Sequence, residues 1–125
     1  MTGHESNVGR ATIAHFASHW LAHGFANLPR LLTLPTLARL SVAGPVVVVG
    51  LGPSLERNIE HLTRARGRAL LVTSTHALTT FDRLGIVPDV VVAIDVQDLR
   101  WQLASLTLER VPVGLAGVTV NPEVR

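Results

Sequence analysis

Pro45-Val46-Val47-Val48-Val49-Gly50 is an unbroken apolar run of β-branched residues, closed on both sides by turn formers. A half-buried strand alternates apolar and polar residues. A run without alternation fits a central strand of a parallel sheet, buried on both faces. Three further runs follow: Ala69 to Thr73, Val90 to Ile94, and Val113 to Val120, the last interrupted by Gly114 and Gly117. Between them apolar residues recur at helical spacing: Leu55, Ile59 and Leu62; Ala77, Leu78, Phe81 and Leu84; Leu99, Leu103 and Leu106. Gly67 and Gly85 stand where helices close on a left-handed residue. This alternation predicts right-handed βαβ units, and so an α/β, Rossmann-like parallel sheet of about four strands with flanking helices.

Upstream of the sheet, Met1 to Arg10 is polar and lacks an apolar period, which predicts a loose start. Ala11 to Ala26 predicts a helix, with Ile13, Phe16, Trp20 and Leu21 at helical spacings. Gly24 and Pro29 weaken or end it. A second short helix is expected over Pro35 to Leu40, and Ala43-Gly44-Pro45 is a break. The chain thus divides into an N-terminal helical lead-in, 1–43, and a Rossmann-like module, 44–125.

With 125 residues, 47% of them hydrophobic, the chain has room for one domain with a real core. There is no cysteine, so a disulfide framework and a thiolate zinc site are excluded. No apolar stretch of about 18 residues suggests a membrane span. No signal-peptide pattern opens the chain, and a cytoplasmic location is the expectation. All eleven basic residues are Arg, which lifts the pI to about 11.0 although the net charge is only +2. The cluster Arg64-Ala65-Arg66-Gly67-Arg68 falls at a predicted helix end, where cations complement the dipole. That reading outweighs a nucleic-acid patch, and no nucleic-acid partner is expected.

In open α/β sheets ligands bind outside the carboxyl ends of the strands. Here those ends are Gly50 to Ser54, Thr73 to His76, Asp95 to Gln97, and Asn121, all polar or glycine-containing directly after an apolar run. In Gly50-Leu51-Gly52-Pro53-Ser54 the glycines let the backbone turn and approach a ligand closely. Pro53 suits a first helical turn, and the free amides beyond it face an anion. Ser54 adds a hydroxyl donor, and Glu56 is expected to point outward. An ordinary tight strand-to-helix turn would use the same residues; the strand-turn-helix setting favours a phosphate site.

Several nucleotide classes fit poorly. A Walker A loop needs Lys, which is absent. The dinucleotide fingerprint wants glycine where Leu55 stands, and an acid where Thr73, Ser74 and Thr75 stand. Asp95 ends its strand at the ligand edge. There it can hydrogen-bond a sugar hydroxyl, act as a base or hold a cation, or it can simply cap the next segment, a role also open to Asp98. Asp89, after Pro88, reads as a turn residue entering its strand. His76 sits within reach of a phosphate, and His61 belongs on a helix surface. His15, His19 and His23 share one helical face at the spacing zinc can use, but a solvated or partner-facing stripe is the preferred reading.

The turn Gly50-Leu51-Gly52-Pro53-Ser54-Leu55, with Gly85-Ile86-Val87-Pro88-Asp89 and the strand-ending Asp95, closely resembles the motility-associated factor (Maf) family. These are flagellin glycosyltransferases related to the archaeal 6-hydroxymethylpterin diphosphokinases of the MptE-like group. The Trp20 to Leu40 helices resemble the helical lead-in of Maf proteins. The resemblance implies that Gly50, Leu51, Gly52, Pro53 and Ser54 surround the nucleotide phosphate. Thr73, Ser74, Thr75 and His76 would lie along the nucleotide, and Asp95 near the reacting group as the catalytic candidate. It implies a CMP-activated nonulosonic acid, such as pseudaminic or legionaminic acid, as donor and flagellin Ser or Thr hydroxyls as acceptor. The alternatives are a 6-hydroxymethylpterin diphosphokinase using ATP and magnesium, and a non-catalytic partner-binding module. Maf proteins are several times longer than this chain. The acceptor half of the site is therefore expected to be missing, which makes the chain a fragment, a truncated product or a subunit that needs a partner; a homo-oligomer is a separate expectation.

Overall fold

The computed structural model describes residues 3–98, 100 and 113–123. Among them, four strands form one parallel sheet in the order β1-β2-β3-β4: β1 Val46–Val49, β2 Leu70–Ser74, β3 Val90–Ala93 and β4 Val113–Ala116. The helices are α1 Gly3–Leu31, α2 Ser54–Arg57, α3 Ile59–Ala65 and α4 Leu78–Arg83, with single 3-10 turns at Leu37–Arg39 and Thr75–Ala77. The architecture is α/β and Rossmann-like. Its strand order runs without the reversal that creates a topological switch point, so no such crevice lies between the described strands.

The register sets the faces. Val47 lies opposite Leu71 and Val49 opposite Thr73, so these four share one face. Leu55 of α2, Leu62 of α3 and Phe81 of α4 cluster with Leu71, Ala77 and Ile86, and Val47 and Val49 pack against that cluster. The first two crossovers therefore cover the same face, as right-handed connections advancing one strand at a time require. On the other face Val46 is exposed and Val48 is 76% exposed. The expectation that Val46–Val49 is a central strand buried on both sides is thus corrected: β1 is an edge strand with one bare face. An all-valine run cannot distinguish the two cases, because it suits a strand covered once as well as one covered twice.

Other expectations need correction. The polar start at Met1 to Arg10 is helical from Gly3 onward, and α1 passes through Gly24 and Pro29 to end at Leu31. Pro29 falls in the last turn, where its missing N–H removes only one hydrogen bond. The helix expected over Pro35 to Leu40 is a single 3-10 turn. The run Val113 to Val120 is a strand only to Ala116, after which the chain turns. The helix expected over Leu55 to Leu62 is interrupted at Asn58, where φ is −109° and ψ 14°. Asn58 donates its side-chain amide to Ser54 O at 2.8 Å, the local competition with helix that asparagine favours. The stretch marked by Leu99, Leu103 and Leu106 lies outside the described residues. Gly67 and Gly85 do close α3 and α4 at φ 71° and 65°, and Ile86 N–H reaches back to Phe81 O at 2.9 Å.

Candidate functional site at the carboxyl edge

The β1 end emerges as Gly50-Leu51-Gly52-Pro53 and enters α2 at Ser54, with Pro53 already in helical geometry at φ −59°, ψ −17°. Neither Gly50 nor Gly52 has a positive φ, so the turn does not draw on the left-handed region that favours glycine. A Cβ at Gly50 would meet nothing within 4 Å, and one at Gly52 only Ser54 Oγ at 3.9 Å. The fold itself thus tolerates side chains at both positions, and the space in front of them is open. Leu51, Pro53 and Ser54 are exposed. The amide of Leu55 is already used, donating to Gly52 O at 2.9 Å. Because α2 is four residues long, its dipole is that of one turn rather than of a long helix. Glu56 points outward and pairs with Arg83 of α4.

The β2 end is built differently. Thr73 is buried and donates its hydroxyl to Val49 O at 2.9 Å, tying β2 to the end of β1. Thr75 is also buried, and Ser74 is half-buried. His76 is 45% exposed, and its Nε2 lies 3.3 Å from Asp95 Oδ2 at the end of β3. The other Asp95 oxygen accepts the Gln97 amide at 3.0 Å, the local capping contact expected of an acid there. Asp95 O accepts the amide of Asn121 at 3.2 Å. The structure therefore brings His76 and Asp95 together across the ends of β2 and β3, with the backbone of Asn121, beyond the turn after β4, joined to Asp95. It holds Thr73 and Thr75 inside the molecule, and leaves the glycine turn open beside them.

Beyond Asp95, Arg100 donates Nε–H to both Asp98 oxygens at 2.9 Å and lies 3.6 Å from Glu123. These hydrogen bonds hold the Asp98 carboxyl at about 2, below its ordinary 3.8. Sequence reasoning missed two further contacts. Buried Asn27 of α1 donates Nδ2 to Val118 O and Val120 O at 3.0 and 2.8 Å, pinning α1 to the segment after β4. Its signal was an amide on the same helical stripe as Phe16, Trp20 and His23. Asp89 is more than a turn residue. Its Oδ2 accepts the Leu71 amide at 2.8 Å, stitching β3 to β2 at the amino edge. A shallow cleft of about 180 Å³ lined by Arg66, Gly67, Val87, Pro88 and Asp89 opens at that opposite edge. Among the described residues no three of His, Asp, Glu or Cys converge to hold a metal ion. No helix among them is long and apolar enough to cross a membrane.

A parallel α/β sheet with a glycine turn and a polar cluster at its carboxyl edge defines a protein of the Rossmann-like class. Residues 22–124 match the family described as 6-hydroxymethylpterin diphosphokinase MptE-like, and the chain belongs to that family. No curated protein and no solved structure matches the chain significantly.

Proposed function

We propose that the chain is the donor-nucleotide-binding part of a glycosyltransferase, which moves a nonulosonic acid from a CMP-sugar to Ser or Thr hydroxyls of flagellin. The observation that carries this reading is the open space before Gly50 and Gly52, two glycines whose backbone does not require them. Glycine at both positions lets a ligand come up to the backbone at the carboxyl end of β1, and a phosphate is the group that a strand-to-helix turn suits there. Asp95 and His76 then stand over the neighbouring strand ends, where the reacting group of such a donor would lie.

The family's description supports a second reading, transfer of diphosphate from ATP to a hydroxymethylpterin. Magnesium is central to such chemistry. With no three-residue acidic or histidine set among the described residues, the ion would be held chiefly by the nucleotide phosphates. Calorimetric titration with CMP, GDP and ATP separates the two. The glycosyltransferase reading expects a preference for CMP, and a loss of affinity of about tenfold or more in Gly52→Asp, which adds bulk and negative charge at the anion site. Preference for ATP with magnesium, with pterin-dependent ATP consumption, would establish the second reading instead.

A further inference from the structure

We propose that His76 is the proton acceptor of this site and that Asp95 is its positioning residue; the assignment rests on the nucleotide-donor reading above. A carboxylate oxygen can only accept, so the 3.3 Å contact with Asp95 Oδ2 places the proton of a neutral imidazole on Nε2. The lone pair is then on Nδ1, which no described residue engages. Asp95 is itself fixed, because Gln97 N–H occupies Oδ1 and Asp95 O accepts from Asn121. The backbone carrying His76 is held on both sides by buried Thr75 and Ala77, while the ring stays partly exposed. A fixed tautomer on a rigid segment, at an open edge, is the arrangement a general base needs. The glycine turn rises from the adjacent strand end, since Val49 lies opposite Thr73. A donor phosphate at the turn would thus be one strand spacing, roughly 5 Å, from the strand that carries His76.

The acceptor O–H bond breaks and its proton passes to His76 Nδ1. The acceptor oxygen bonds the anomeric carbon of the sugar. The bond from that carbon to the phosphate oxygen breaks, and its electron pair leaves on CMP. The imidazolium then returns the proton to water. Asp95 stabilises the transient charge and holds the ring, and takes no proton.

The test measures CMP release from CMP-pseudaminic acid by the full chain, with water as acceptor, alongside calorimetric CMP binding by the wild type. His76→Ala should lower kcat by about 10² to 10⁴ with a smaller change in KM, and added imidazole should restore part of the loss. Asp95→Asn should also lower kcat, without an imidazole response, because the amide can donate to Nε2 and so favours the opposite tautomer. Raised KM with kcat intact in His76→Ala would make His76 a phosphate anchor and overturn the proposal. So would a wild-type chain that binds CMP and releases none from the donor. A wild type that fails to bind CMP overturns the donor reading first, and this proposal with it.

Discussion

The two neighbouring strand ends that carry the candidate site are built in opposite ways. After β1, Gly50 to Ser54 is largely exposed and leads into a helix of four residues, of which only Leu55 is buried. After β2, Thr75, Ala77, Leu78 and Phe81 are buried in close succession, with His76 alone among the first four residues turned outward. The first end is conspicuous in sequence and makes few contacts with the core. The second has no motif and is anchored through it. The difference separates two tasks: a loop that admits a ligand needs free space, whereas a side chain that acts on the ligand needs immobile neighbours.

Stability measurements should divide the two ends most sharply. Phe81 is 1% exposed in the core cluster, so Phe81→Ala should cost about 3 to 5 kcal/mol by lost burial and a cavity. Leu51 at the glycine turn is exposed, and Leu51→Ala should stay within about 0.5 kcal/mol. Urea unfolding monitored by circular dichroism measures both. Comparable losses would mean that the β1 turn is as deeply integrated as the β2 end, and the contrast would fail.

A smaller effect of opposite sign sharpens the same point. The backbone at Gly52 lies outside the left-handed region and has room for a methyl group. Gly52→Ala should therefore raise stability by about 0.4 to 1 kcal/mol, through a less flexible unfolded chain, while weakening CMP binding. A variant that gains stability and keeps its affinity would show that nothing approaches that glycine.

Much of the sheet was legible because strand-forming runs and helical periods alternate so regularly, and the helix-closing roles of Gly67 and Gly85 followed from the same punctuation. The edge position of β1 was not legible. Valine at all four positions of Val46–Val49 carries no alternation from which a bare face could be read. The interruption at Asn58 was hidden because Leu55, Ile59 and Leu62 keep their helical phase across it. At the site, placing Asp95 and His76 on one edge followed from where their strands end. That they touch depends on β2 and β3 being neighbours, and on the short 3-10 turn at Thr75–Ala77. The inward burial of Thr73 follows from register, since its hydroxyl finds Val49 O only when those residues lie side by side.

The smallest expected effect concerns the end of β3, where exposed polar contacts resemble the open β1 turn more than the anchored β2 end. The Asp98 carboxyl sits at about 2 rather than 3.8 because Arg100 donates to it from its side chain and its backbone. A depressed folded value means the contact favours the native state above the unfolded pKa, and that this contribution fades as pH falls through about 2. Both groups are solvated, so screening keeps the contribution small. Carboxyl-detected NMR titration should give a midpoint for Asp98 near 2, and Arg100→Gln should move it back toward 3.8. Unfolding midpoints at pH 7 should scarcely differ between the two proteins. A large stability loss in Arg100→Gln would instead show that Arg100, through Asp98 and Glu123, ties β3 to the segment after β4. The β3 end would then belong with the anchored kind.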